Sequence, residues 1–153
     1  MKLVSVNVSL PKKVKYEGRE FSTGIFKEPV RGRVKVFSEH LEGDGQGDLS
    51  VHGGPHKAVN VYDLESYDYW QEELGRDDLS PGHFGENFTA SGMTDDSVHI
   101  GDTFRIGTAL FEVSGPRTPC FKLEMKMGIS GFSRTFIKSG RSGFYFRVLK
   151  EGE

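Results

Sequence analysis

Polar and apolar residues alternate from Lys2 to Val8, leaving Leu3, Val4, Val6 and Val8 available for a buried face, and this period of two predicts a first strand closed by Pro11. Lys12, Lys13 and Lys15 then read as a solvated loop. Gly24–Lys27 reads as a short strand broken by Glu28 and Pro29, and Arg33–Phe37 as a better one with Val34 and Val36 inward. Ala58–Tyr62 is a further strand. The period then changes: Asp63 is placed to cap a helix that runs to Leu74 and stops at Gly75, with Leu64, Tyr67, Trp70 or Gln71, and Leu74 along its buried stripe. Short strands are expected at Ser97–Ile100, Thr103–Ile106 and Ala109–Ser114, with reversals at Gly101-Asp102 and Gly107-Thr108. Phe121–Met127 is ambiguous, its apolar spacing nearer two than 3.6, but its helix formers and the closing Gly128 favour a short helix. Phe132–Lys138 reads as a second short helix and Gly143–Leu149 as a strand. Many short strands against one substantial helix and two short ones predict a mostly-β fold, a barrel with embedded helices.

Length and composition narrow the class. The 153 residues fit one domain, residues 1–153, and show no repeat or linker. Twelve phenylalanines supply bulk for a core. A net charge of -2 gives no global attraction to a nucleic acid polymer. The N-terminus lacks the basic-then-apolar order of a signal peptide, and the chain has no apolar run of transmembrane length, so a cytoplasmic protein that does not enter the membrane is expected. The single cysteine excludes an intrachain disulfide and a multi-cysteine zinc or iron–sulfur site. His40, His83 and His99 share no spacing that suggests zinc.

That cysteine, Cys120, sits in SGPRTPCFKLEM, where Pro116 and Pro119 stiffen the approach and Arg117 and Lys122 flank it. A sulfur at a rigid turn between cations suits a soft-metal ligand or a reactive thiolate; the alternative is a buried cysteine packed as a small hydrophobe. Upstream, LEGDGQGDLSVHGG is rich in glycine without periodicity, and it is either a mobile loop or backbone shaped around something. Gly53 and Gly54 allow backbone N–H groups to converge on an anion, with Lys57 adding charge; an ordinary tight turn is the alternative. Glu42 and Asp44 in the same tract read as loop-shaping. Gly85-Glu86-Asn87-Phe88 presents either a carboxylate and an amide toward a pocket, with Glu86 suited to adjacent N–H donors of a pterin or guanine edge, or a surface turn pinned by Phe84 and Phe88.

LEGDGQGDLSVHGGPHKAV, GHFGENF, HIGDTFRIG, VSGPRTPCFKL and SGRSGFYFRVL, in this order from about Asn7 to Leu149, resemble the MOSC family, named for the C-terminal domain of molybdenum-cofactor sulfurases. The likeness is to its stand-alone bacterial branch, related to the 6-N-hydroxylaminopurine resistance protein. It implies a β-barrel whose cleft holds a molybdenum–pterin cofactor, with Cys120 as metal ligand. It further implies reduction of small N-oxygenated substrates (hydroxylaminopurines, hydroxylamines, amidoximes) with electrons from a separate NAD(P)H-linked protein. Gly53, Gly54, Lys57, Glu86, Arg117 and Lys122 would bind the cofactor, while Asn87 would position ring or substrate; His52 would either deliver protons or hydrogen-bond a loop carbonyl. A non-catalytic cofactor or persulfide carrier using Cys120, and a β-barrel interaction module without cofactor, are the competing readings. His56 stands where related sequences often carry aspartate. The resistance protein has a helical extension past the barrel and this sequence ends at Glu153, which leaves open closure of the barrel alone or by pairing in a homo-oligomer.

Overall fold

The computed structural model describes residues 1–45 and 54–153. Seven strands form one sheet: β1 (Lys2–Val8), β4 (Glu28–Pro29), β5 (Val59–Asp63), β6 (Phe88–Ser91), β7 (Thr103–Ile106), β8 (Ala109–Pro116) and β9 (Phe144–Lys150). Their order is β4-β1-β6-β5-β9-β8-β7. β5 and β6 are parallel, as their connection through a helix requires, and the other pairs are antiparallel. The remaining strands, β2 (Lys12–Tyr16) and β3 (Arg19–Thr23), make a separate hairpin.

The mostly-β fold is found as expected, but the barrel, whose closure the sequence left open, is a curled, open half-barrel. The outermost strands, β4 and β7, do not pair with each other, and β4 is only two residues long. Arg33–Phe37, expected as a strand, contributes only bridges from Val36 to Leu41 and Gly152, too few to extend the sheet into a closed wall. Gly24–Lys27 likewise has no ladder and lies as irregular chain after β3. Ser97–Ile100 is a turn, because Ser97 and Asp102 donate to carbonyls three residues back, at Thr94 and His99. Lys12–Lys15 is a strand and not a loop. Glu17 and Gly18 both adopt positive φ, the combination that closes a two-residue hairpin, and Val14 pairs with Phe21 opposite.

The helices follow the sequence more closely. α1 (Leu64–Leu74) starts at Asp63, whose Oδ2 accepts from the Glu65 N–H while Oδ1 accepts from Met93, and it ends at Gly75 in the left-handed region. α2 (Phe121–Met127) resolves its ambiguous spacing in favour of the helix, because Leu123 and Met127, four apart, enter the core together. α3 (Phe132–Lys138) buries Phe132 and Phe136 by the same spacing.

These elements enclose two apolar clusters. Val59, Val61, Phe88, Phe111, Phe144 and Phe146 fill the curl of the sheet. On the other face, Tyr62, Tyr67, Trp70, Phe84, Leu123 and Phe136 pack beneath the helices. Alternation along β5 divides them: Val59 and Val61 face the curl, while Asn60 and Tyr62 face the helix side. The helix-side cluster satisfies its polar atoms internally, with Trp70 Nε1 donating to Tyr62 Oη at 2.8 Å and Tyr62 Oη donating to the Arg141 carbonyl at 2.5 Å.

A polar clasp holds the start of β6 to the loops around it. Asp44 Oδ1 accepts from Ser9 N–H at 2.9 Å and forms a 2.6 Å ion pair with Lys27, and Asp44 Oδ2 accepts from Asn87 Nδ2 at 3.0 Å. Both side chains of the ion pair are buried. Burial pulls the Lys27 ammonium below its ordinary pKa, and the adjacent Asp44 charge opposes that shift. Asp44→Ala strands an ammonium and two N–H donors together, so unfolding free energy is expected to fall by about 3–5 kcal/mol, read from denaturant midpoints.

His83 provides a pH test. Desolvation, aided by the charges of Lys126 and Arg76, pushes its imidazole down from 6.5 to about 4. Between about 4 and 6.5 the unfolded chain binds a proton that the folded chain refuses, so this group's contribution is complete above that window and declines as pH falls through it. His83→Gln is expected to flatten the pH dependence of the unfolding midpoint there while leaving it nearly unchanged above pH 7.

Candidate functional site

One cleft opens on the helix side of the sheet, where the β3–β4 connection, β5, the turn before α2 and β9 converge. Its described lining includes Thr23 at the end of β3 with Gly24, Ile25 and Lys27 from the connection after it, Asn60 from β5, Arg117–Cys120 from the turn, Lys122 from the start of α2, and Tyr145 from β9. Lys57, Gly85, Asn87 and Leu123 complete the wall. Four of these residues are cations (Lys27, Lys57, Arg117 and Lys122) and none is a carboxylate. Asp44 neutralises Lys27 from behind; Arg117 and Lys122 take part in no ion pair among the described residues.

The backbone explains why the cations face one another. Cys120 is the extended residue that precedes α2, so the rigid PRTPC segment ends at the cleft and Lys122 lies in the first turn of the helix. Lys122 is held by the carbonyl of Ser22 at 3.5 Å and by the Phe21 ring, 5.7 Å from its ammonium. The Arg117 N–H donates to the Gly143 carbonyl at 3.0 Å, which docks the segment on β9. Its guanidinium lies over Phe136 at 5.6 Å, the residue is 8% exposed, and Nη1 has no hydrogen-bond partner among the described residues. Gly85 admits this arrangement. A Cβ there would lie 2.8 Å from Ile25 and 3.4 Å from Arg117 Nη2, and its φ of +81° strains any other residue.

The site residues expected from sequence are only partly brought together. Cys120, Lys57, Arg117, Lys122 and Asn87 line the cleft. Asn87 nevertheless has no amide N–H to offer, because Nδ2 donates both to Asp44 and to the Asn7 carbonyl while Oδ1 accepts from Asn60 N–H. Glu86 does not reach the cleft. It is fully buried and its carboxylate accepts from Tyr67 Oη at 2.5 Å, Thr89 Oγ1 at 2.8 Å and Phe84 N–H at 3.2 Å. Desolvation raises its pKa, and the bonds from Tyr67 and Thr89 oppose that shift. Gly54 precedes the 3₁₀ turn Pro55–Lys57 with φ of +83°, apart from the cleft lining, and Lys57 at the end of that turn reaches within 5.7 Å of the Tyr145 ring. His52 and Gly53 lie outside the described residues.

Lys27, Asn60 and Tyr145 were not singled out from the sequence. Two of them carried a signal: Asn60 is the polar residue between inward valines in AVNVY, and Tyr145 alternates with Phe144 and Phe146 in GFYF. The two are Cα partners across β5 and β9, so they share the cleft-facing side. Burial raises the Tyr145 phenol above its ordinary pKa, with Arg117 opposing and Cys120 reinforcing the shift. Lys27 had no comparable signal, since its pairing with Asp44 spans seventeen residues.

Among the described residues no three or more His, Cys, Asp and Glu side chains group to hold a metal ion, and no helix is long and apolar enough to cross a membrane. The MOSC domain family model matches residues 48–153. The chain is 47% identical over 150 residues to "Uncharacterized protein YflK" of Bacillus subtilis, covering 98% of this chain and 67% of that one. It is 37% identical over 138 residues to a Gibberella moniliformis protein named "Reductase", covering 88% of this chain and 24% of that one. The crystal structure of YiiM from Geobacillus stearothermophilus superposes with a TM-score of 0.80 at 40% identity, across 99% of this chain and 69% of the other. The likeness thus takes in nearly all of this chain and about two thirds or less of each relative except that YiiM, of which it takes in 69%. This chain belongs to the MOSC domain family.

Proposed function

We propose that the cleft binds a molybdenum–pterin cofactor through Cys120 and reduces small N-hydroxylated compounds. The observation that carries this reading is a wall of four cations and one sulfur with no carboxylate among its described residues, in a chain of net charge -2. Such a wall suits an anionic ligand. A cofactor that brings two sulfurs of its own needs only one protein ligand, so a single thiolate suffices where a protein-built metal site needs three or four.

The residues fit such a group. Lys57 and Lys122 stand at the cleft with charge to offset a phosphate, and Arg117 adds a charge together with a buried N–H that has no partner among the described residues. Cys120 is held at the cleft by the rigid segment behind it and by Ser133, whose hydroxyl donates to the Cys120 carbonyl at 3.0 Å. When bound, the cofactor supplies the redox chemistry that removes oxygen from an N–OH group, with electrons from an NAD(P)H-linked partner protein. The protein's share is ligation, orientation and control of protons. Tyr145 keeps its proton at neutral pH and presents an O–H group at the cleft; His52 is the further proton donor that the sequence suggests. Glu86 and Asn87 act from behind, by fixing the backbone on which Gly85 and Asn60 stand. The name "Reductase" borne by one relative accords with a redox role.

Protein produced with an intact cofactor pathway is expected to retain molybdenum and to reduce an amidoxime. Cys120→Ser is expected to stay folded, to lose most of the metal and to lose turnover at least about 100-fold. Wild-type protein that retains no molybdenum pterin would sink the proposal, as would a serine variant with undiminished metal and turnover.

A further inference from the structure

The β2–β3 hairpin stands outside the main sheet and borders the cleft, which Thr23 at its end helps to line. It carries Lys12, Lys13, Lys15 and Arg19 against Glu17 and Glu20, a positive excess in a chain of net charge -2. All four cations are exposed, and none takes part in an ion pair among the described residues. The pairing divides the hairpin into two faces. Val14 and Phe21 are partners, as are Tyr16 and Arg19, and this face packs on α2: the Phe21 and Phe121 rings meet edge to face at 5.1 Å, and Arg19 lies over Phe121 at 5.0 Å. The opposite face carries Lys13 and Lys15, whose partners across the ladder are Ser22 and Glu20. Helix α2 continues the charge. Lys126 and Lys12 both lie over the Phe26 ring, at 5.8 and 5.9 Å, and Lys122 lies over Phe21. The helix has one acid, Glu124, and its Oε1 accepts from the Gly131 N–H at 2.6 Å.

Hairpin and helix thus form one cationic rim beside the cleft, with aromatic rings between the charged groups. Cations gathered in this way repel one another in the free protein and attract opposite charge from a distance. The rings of Phe21, Phe26 and Phe121 already carry cations or a ring edge, which leaves no open platform for stacked bases, and Glu17 and Glu20 oppose a phosphate backbone. Spaced cations interrupted by two acids suit a folded partner whose charges form the complementary pattern. We propose that this rim docks an electron-transfer protein with an acidic face, the donor for the cleft beside it. This rests on the reductase reading and adds the surface that the donor uses. Conversion of N–OH to N–H and water takes up two electrons and two protons; the donor's reduced cofactor supplies the electrons, drawn from NAD(P)H, and water supplies the protons. A donor on the rim sits next to Lys122, which belongs to rim and cleft alike.

The test is an association rate that needs no turnover. The probe is flavodoxin, a small acidic electron-transfer protein. Its binding to the full chain is followed by stopped flow at about 20 and about 200 mM salt, and the rate is expected to fall at least about tenfold across that range. Lys13→Glu with Lys15→Glu is expected to lower the low-salt rate at least about tenfold. Lys35→Glu with Lys150→Glu, an equal change of charge at exposed positions outside the rim, is expected to change it less than about threefold. No binding by the wild type, an unchanged rate in the folded hairpin variant, or an equal loss in the control would each overturn the proposal. Tighter binding of a single-stranded oligonucleotide than of flavodoxin would do the same. Should the reversed pair not fold, Lys13→Gln with Lys15→Gln decides, by a loss of at least about threefold. Amidoxime turnover driven by reduced methyl viologen, which needs no docking surface, is expected to stay within about twofold in the hairpin variant. Viologen-driven turnover without flavodoxin binding sinks only the docking proposal, and salt-sensitive binding without viologen-driven turnover sinks only the reductase.

Discussion

The cleft depends on the buried meeting of Lys27, Asp44 and Asn87. Each of these side chains is 7% exposed or less, and none has a partner close in sequence. Alone, each would be costly to bury; together they satisfy one another and tie three irregular stretches of chain to the start of β6. Asn87 is the pivot because its backbone and side chain bond in different directions. Its N–H and Oδ1 hold Asn60 on β5, while Nδ2 holds Asp44 and the Asn7 carbonyl. The wall that carries Lys27, Gly85 and Asn60 is therefore fixed by polar bonds, and the wall that carries Arg117, Cys120 and Lys122 by aromatic packing under α2 and α3.

That difference explains what was legible in the sequence. The amphipathic stripe of α1, its Asp63 cap and its Gly75 stop are local signals and are found where they were expected. Cys120, Arg117 and Lys122 sit together because only a few residues separate them, and Lys57 stood out as the charge beside the Gly53-Gly54 turn. The clasp was illegible, because Asn7, Lys27, Asp44 and Asn87 are spread over eighty positions and no pattern of residues links them. Asp44 did read as loop-shaping, but its three donors were invisible. The hairpin of β2 and β3 was missed because Glu17-Gly18 is a weak turn signal beside three lysines that suggested solvent.

Glu86 shows where chemical suitability misleads. A carboxylate between a glycine and an asparagine at a strand start is well suited to a heterocycle's N–H edge, and the same feature suits it to the protein's own donors. Tyr67, Thr89 and Phe84 N–H claim it, which locks α1 to the start of β6. The cleft wall beside Gly85 is instead lined by Asn60, a residue with no motif around it.

Sorting of the acids follows from the same economy. Asp44, Asp63, Glu86 and Asp95 each accept from backbone N–H groups: Ser9 for the first, Glu65 and Met93 for the second, Phe84 for the third, and Ser142 and Gly143 for the last. An ionised carboxylate is the strongest acceptor available for loops that leave N–H groups unpaired, and the curled, open sheet has many such loops. Apart from Asp44, none of the four counters the cleft's cations through an ion pair. A chain that is acidic overall thus keeps, among the described residues, a cation-rich recess around its one thiol, a sign that whole-chain composition points away from.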